Sequence, residues 1–574
     1  MNQSMPGKKM ARCRHRANFI IPIVTLGLTL LGSMRSIGAP QSIEQEFKTP
    51  SSLPKDVFDE PFFDPERSGD TLNLPAAKKK LEDLTDKDLK AAQRLFDVFA
   101  WRAFVALNGP ADADGSPSKK DQFYTNQTAP RIWEFWKQTS EIYLPNGAEP
   151  SWEGPGKTAG MKLDHWKAGW RQHTTLDQGK QAFSGPLIDQ NGNWLHYQAL
   201  VNRTEFNYLV SGTLYNLEGQ AEFQKRHVIE FPINDDKNYG SIELKLAWKV
   251  LTDKDDESRY LVREIPIVRY HPAGTAGPEA ASEGQKTGKA TPGTEEEKPT
   301  KVGLVGMHIS MRTASSPQWI WATFEQIDNT RVNPDTVHGE QKDKLQPSLS
   351  NPDDPEALVR ANLLPAMNAK PDPATGQFTD WDESIPMAPV EVLRLVPPPT
   401  GTERVNREVQ AFLGKKNSPL RYYELIGTQW PKHPLAPAVP GGQGSAPESI
   451  VRKMPGEMTP VYLVNSTMET YFQKGFQDAG PLEQDDRVPF SIDTTKVFGT
   501  ESCVGCHYSA GACIGFRKDS KGQFLRDASG KKIPIFGENS NGGSTGNANF
   551  SWALQIEAQS SEKLDSTAKP DSKH

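Results

Sequence analysis

Five consecutive residues, Cys503-Val504-Gly505-Cys506-His507, carry the most specific chemistry in the chain. Two thiols three positions apart match the reach of the two vinyl groups on neighbouring pyrroles of a haem, and the next residue sets an imidazole beneath the iron. With 4 Cys and 11 His in 574 residues, chance yields on the order of 0.0005 such runs. Other chemistries can use the same side chains: a redox disulfide between Cys503 and Cys506, a zinc site shared with Cys513, or plain buried thiols. No βαβ pattern leads into the pair, and no second Cys or His pair follows at zinc-finger spacing. The expectation is one covalent haem c, joined to Cys503 and Cys506, with His507 as proximal axial ligand.

Through Cys503, Cys506 and His507 the chain resembles the c-type cytochromes, a resemblance confined to this motif. It implies an exported mono-haem electron-transfer protein that docks a redox partner protein. Small members of that family place an axial Met several tens of residues after the His. Here no Met follows position 468. Met468 is therefore the nearest distal candidate, ahead of Met458 and Met454 in sequence, and its alternative is an ordinary core residue. The departure also raises a different expectation: an iron open on one side, serving a haem-dependent oxidoreductase or a ligand-sensing protein.

A second group of polar residues comes from strand periodicity. In Val302–Thr313, His308 falls opposite Val305, Met307, Ile309 and Met311; in Ser241–Leu251, Glu243 and Lys245 fall opposite Ile242, Leu244 and Leu246. Glu325 shares a face with Trp319 and Trp321. If these strands are neighbours, Glu243, Lys245, His308 and Glu325 line one sheet face, as weak candidates for catalysis. The ordinary alternative is a solvent-facing sheet laced with ion pairs. No Gly-rich phosphate loop, Gly-x-Ser-x-Gly elbow or His-Glu-x-x-His run is present.

The N-terminus explains where haem would be attached. Lys8, Lys9, Arg12, Arg14 and Arg16 precede an apolar run from Phe19 to Met34, the pattern of an export signal cut near Ala39 or kept as an inner-membrane anchor. Both outcomes place the body in the periplasm or beyond, where covalent haem is added. Removing the leader's six positive residues takes the net charge from −6 to about −12, which disfavours nucleic acid. Any membrane contact would come through the N-terminal segment.

Around these sites the chain reads as an α+β protein. Residues 40–84 form an irregular leader. A helix begins near Thr85 and carries Leu95, Phe96, Phe99, Ala103 and Phe104 at helical spacing until Gly109-Pro110, and a second aromatic helix follows Pro130. A central antiparallel sheet occupies the body to residue 430, with hairpin pairs Ser241–Leu251 with Tyr260–Val268 and Lys301–Thr313 with Trp319–Ile327. An aperiodic insertion, 273–300, is expected to be disordered. The haem segment is 451–558, mixed in structure: a strand Val461–Val464, a helix Thr467–Phe476 capped by Ser466 and Glu469, and the motif. A polar tail runs from 559 to 574.

Overall fold

The computed structural model describes residues 86–116, 118, 124–153, 187–234, 239–271, 294–313, 319–332, 347–351, 353–354, 361–363, 389–430, 461–474, 502–507, 510–527, 530–537 and 548–562. The expected export leader, the stretch 40–84 and the part of the expected tail beyond 562 lie outside them, while 559–562 are held by the body, Ser560 Oγ donating to Glu218 at 2.6 Å. Helices and one antiparallel seven-stranded sheet make an α+β body, as the sequence suggests.

The sheet is built from β1 (Lys137–Gln138), β2 (His196–Val201), β3 (Ile242–Val250), β4 (Val262–His271), β5 (Thr294–Met311), β6 (Ile320–Gln326) and β9 (Tyr423–Gln429). Their order is β1-β2-β3-β5-β6-β9, with β4 beside the first half of β5. β7 (Arg331–Val332) and β8 (Leu393–Arg394) form a small parallel pair apart from it. The expected β3–β4 hairpin is not formed. β5 is 18 residues long and takes the two strands on opposite edges, overlapping at its middle: Val250 pairs with Val302 and Lys249 with Gly303 on one edge, Val262 with Gly303 and Arg263 with Val302 on the other. Between them the chain is held by its own contacts, with Asp255 accepting from Thr252 N at 2.9 Å and ion-paired to Lys249. The insertion expected at 273–300 is correspondingly shorter, because residues 294–300 belong to β5; 272–293 lie outside the described residues.

Alternation gives the sheet two different faces. Ile242, Leu244 and Leu246 on β3, Met307, Ile309 and Met311 on β5, and Ile320, Ala322 and Phe324 on β6 enter one buried core. Two helices cover that face, α1 (Asp86–Leu107) and α4 (Thr400–Lys415). Phe96, Phe99 and Phe104 of α1 and Val405, Val409 and Leu413 of α4 supply the helical stripes. Trp101 Nε1 donates to Asn406 Oδ1 at 2.8 Å and fixes their crossing. The second aromatic helix after Pro130 is a single 3-10 turn, Ile132–Phe135, with Trp133 packed on Trp248.

The opposite face is covered by the C-terminal part of the chain, not by solvent. Residues 461–474 lie on it without the expected strand at Val461–Val464; the expected helix is a 3-10 turn, Thr470–Lys474. A bulge makes room: Ala247 pairs with Gly306 and Trp248 with Leu304, leaving Val305 unpaired. A side chain at Gly306 would put its Cβ 2.2 Å from Thr467 Oγ1, so only glycine lets the segment rest on the sheet. Tyr197 OH donates to the Thr467 carbonyl at 2.8 Å, and Asn465 Nδ2 donates to Thr323 Oγ1 at 2.7 Å.

Residues 502–562 complete the cover. α2 (Arg203–Ser211) and α3 (Leu217–Phe223) follow β2, and α3 holds this segment through Gln220 and Glu218, the latter accepting from Ser560 Oγ and Ser561 N. Gln220 Nε2 donates to the Leu554 carbonyl at 2.9 Å, while its Oε1 accepts from Cys513 N at 2.8 Å. The segment contains α5 (Cys503–His507), the hairpin of β10 (Cys513–Phe516) with β11 (Pro534–Phe536), and α6 (Ala553–Ile556). A bridge between Arg526 and Lys532 extends the segment beyond this hairpin. Among the described residues no helix is long and apolar enough to cross a membrane.

Candidate functional site

The motif forms a short helix because its first turn is capped. Ser502 Oγ accepts from Gly505 N at 3.1 Å, and Gln429 Oε1, at the end of β9, accepts from Val504 N at 2.8 Å. This ties the helix start to the sheet. Cys503, Cys506 and His507 then line one cavity between the helix and the polar sheet face, together with Glu243, Lys245, His308, Ser310, Trp321 and Glu469. The cavity volume is about 220 Å³, and it opens to solvent at its mouth.

His507 is oriented as a metal ligand needs to be. Its Nδ1 lies 2.7 Å from the Phe550 carbonyl and donates to it, which leaves Nε2 as the free lone pair. That carbonyl is turned toward the ring by two successive left-handed residues, Asn549 (φ 49°) and Phe550 (φ 71°). A left-handed Phe is strained. Trp319 Nε1 holds the turn by donating to both the carbonyl and Oδ1 of Asn549, each at 2.9 Å. The Trp321 ring packs on the imidazole, with centroids 4.6 Å apart. The ring edge borders the cavity, yet it is enclosed by protein. Burial pushes the His507 pKa down to about 4, and the charges of His308 and Lys245 add to this. The imidazole is neutral at physiological pH, the form that binds a metal.

Burial also raises the Cys503 thiol, with the negative charge of Glu469 contributing. Cys513 stands apart, fully buried, with Sγ 3.2 Å from the Gly515 carbonyl and a pKa pushed up to about 11 by burial. It is the leftover thiol of the motif count. Among the described residues no three His, Cys, Asp or Glu side chains form a metal-holding group. A c-type haem asks for less, two thioether bonds and one imidazole, and those three residues share a wall here. The cavity also contains polar atoms for which the described residues offer no partner: Trp321 Nε1, His308 Nδ1 and Glu243 Oε1. A bound group with donors and acceptors of its own suits them, so the donor set fits haem.

The sheet-face residues divide. Lys245 and His308 are directly opposite one another in the β3–β5 register, Glu243 faces Ser310, and all four border the cavity. His308 Nε2 is 2.7 Å from Glu469 Oε1. Glu469 Oε2 accepts from Asn465 N at 2.9 Å, so the carboxylate is fixed at both oxygens. Burial works to raise the Glu469 pKa, but the charges and hydrogen bond of His308, with Lys245, hold it below the ordinary carboxylate range. Lys245 Nζ lies 5.7 Å over the Tyr197 ring.

Glu325 lies on the same face but not in the cavity. It forms a buried ion pair with Arg394 and accepts from Ser466 N at 2.6 Å and from Ser466 Oγ. Its place is structural, anchoring 461–474. Met468 is also elsewhere. It is fully buried among Val305, Tyr197, Leu187 and Tyr471, and is not among the residues bordering the cavity with His507. The sheet bulge explains this: the space above Gly306 takes the Met468 side chain inward. Met454 and Met458 lie outside the described residues.

Two acids, one at the cavity and one behind it, escape a sequence reading. Glu469 reads as the end of a Ser466 capping box, whereas Asn465 is the residue it caps and His308, 161 positions away, is its partner. Glu205 reads as an ordinary first-turn helix acid, but it is buried behind Glu243; the available signal was its place beside Phe206 and Leu209 on the apolar side of α2. No family model matches the chain, and neither a curated protein nor a solved structure matches it.

Proposed function

We propose that the chain is an exported haem c protein whose haem is bonded to Cys503 and Cys506, held at iron by His507, and placed to react with a small molecule bound in the cavity. The observation that carries this reading is the shared wall: the three motif residues and the His308–Glu469 pair border one cavity. The haem would supply single-electron chemistry and an iron coordination site. The protein supplies the rest. The Phe550 carbonyl fixes the His507 tautomer, and Trp321 limits ring rotation. Glu469 orients His308 through the contact at its Nε2, and His308 Nδ1 has no partner among the described residues. Lys245 adds a positive charge to the same wall. The reaction class is haem-dependent oxidation or reduction, with electrons exchanged with a partner protein.

A pure electron carrier is the competing function. It needs a sixth protein ligand, and Met468 faces the core. Visible spectra of the reduced protein with and without carbon monoxide separate the two. Ready carbon monoxide binding supports the cavity reading. A low-spin spectrum that carbon monoxide leaves unchanged supports the carrier.

A further inference from the structure

We propose that the segment 513–537, which carries the β10–β11 hairpin, docks the protein on an anionic lipid bilayer through an aromatic and lysine-rich face. The proposal goes beyond the haem reading and does not depend on it.

Composition sets this stretch apart. The whole chain carries −6, yet between residues 513 and 537 six Lys or Arg stand against Asp519 and Asp527, a surplus of four positive charges. The same stretch holds four of the seven large apolar side chains that the described residues expose: Ile514 (41 %), Phe524 (42 %), Leu525 (42 %) and Ile535 (39 %). Exposed apolar groups scattered singly need no explanation, but four within one short segment do.

The fold presents them on a fixed support. At the root, Gln220 Oε1 accepts from Cys513 N at 2.8 Å and Gln224 Nε2 donates to the Cys513 carbonyl at 2.7 Å. Farther out the backbone bonds in a closed triangle. Arg517 N donates to the Ile533 carbonyl at 2.9 Å, Leu525 N to that of Arg517 at 2.9 Å, and Ile533 N to that of Leu525 at 3.1 Å. Asp519 Oδ1 holds the turn between the first two by accepting from Lys521 N and Gln523 N, each at 2.8 Å.

Aromatic and cationic groups interleave on this support. The Phe516 and Phe524 rings meet edge to face with centroids 6.3 Å apart. Lys518 Nζ lies 4.7 Å and Lys532 Nζ 4.8 Å from the Phe524 centroid, so the exposed ring is flanked by two ammonium groups. Glu562 offsets part of the charge, pairing with Arg526 at 2.9 Å and Lys532 at 3.4 Å. A bilayer interface suits the rest. Phe524 and Leu525 enter the acyl boundary while the lysine stems carry their charges to anionic headgroups. An acidic protein suits it less, because protein interfaces are depleted in lysine and four of these six cations are lysines.

The test is hydrogen exchange in 517–527 of the full exported protein, titrated with vesicles of phosphatidylcholine alone or with one third phosphatidylglycerol. Anionic vesicles should slow exchange there, neutral ones should not, and high salt should remove the effect. Each cation near an anionic surface contributes about fivefold in affinity, so Lys518→Glu with Lys521→Glu should weaken the vesicle affinity by at least about 25-fold. Phe524→Ser should weaken it by roughly fivefold. All three side chains are exposed, and unchanged exchange elsewhere shows that the variants fold. An N-terminal anchor would hold both kinds of vesicle alike without protecting 517–527, so it does not imitate the result. No protection by anionic vesicles, or equal protection by neutral ones, overturns the proposal. Soluble poly-glutamate protecting 517–527 as strongly as vesicles, with Phe524→Ser indifferent, also overturns it and marks an acidic protein as the occupant.

Discussion

Replacing Glu325 by Gln tests how the cavity's roof is held. The Glu325 and Arg394 side chains are 2 % and 3 % exposed, and the same carboxylate takes two hydrogen bonds from Ser466. Glu325→Gln keeps an acceptor for Ser466 but leaves the Arg394 guanidinium buried without its counter-charge. Removing one partner of a buried pair costs about 3–5 kcal/mol. Removing both relieves most of that, so Glu325→Gln with Arg394→Met is expected to recover more than half of the loss. Denaturant unfolding followed by tryptophan fluorescence measures the stability, and limited proteolysis within 461–474 reports the local effect. The single variant should be cut faster there, because Asn465, Ser466 and Glu469 share the anchor. A single variant within about 1 kcal/mol of wild type, or a double variant worse than the sum of the singles, refutes the reasoning.

Three further outcomes follow from particular contacts. Asp97 is fully buried between α1 and α4, and desolvation raises its pKa from 3.8 to about 6 against the hydrogen bonds of Thr402 and Gln93. Its neutral form is the one the fold prefers, so this contribution is complete below about pH 4 and is lost as pH rises through 6, a decline of about 3 kcal/mol; stability against pH should lose that slope in Asp97→Asn, and an identical slope would contradict it. Gly306→Ala should cost about 1–3 kcal/mol and loosen 461–474, read by hydrogen exchange at Thr467 and Met468; unchanged exchange there would refute the close approach. Met468→Ala should cost about 2–5 kcal/mol as a core truncation while leaving the haem spectrum unaltered; a change of spin state would instead make Met468 an iron ligand.

The motif and the two-faced sheet were legible because both rest on local spacing. Cys503, Cys506 and His507 are fixed by their own chemistry, and the parity of Glu243, Lys245 and His308 follows from strand alternation. The partners of those residues were not legible. His308 meets Glu469 only after the C-terminal segment folds back over the sheet, and no local pattern encodes that contact. The Val305 bulge shifts the parity of the first half of β5, and it opens the place that draws Met468 into the core. The β3–β4 pairing failed for a similar reason: two neighbouring strands of ordinary length can either pair or share one long partner, and their sequences do not choose.

The central claim is a covalent haem at Cys503 and Cys506 facing the His308 cavity. Mass spectrometry of the peptide containing residues 502–507, from protein exported by cells with haem-attachment machinery, tests it most directly. The account predicts the mass of one haem on that peptide, lost when Cys503→Ser and Cys506→Ser are combined. Wild-type peptide recovered with both thiols unmodified would contradict it.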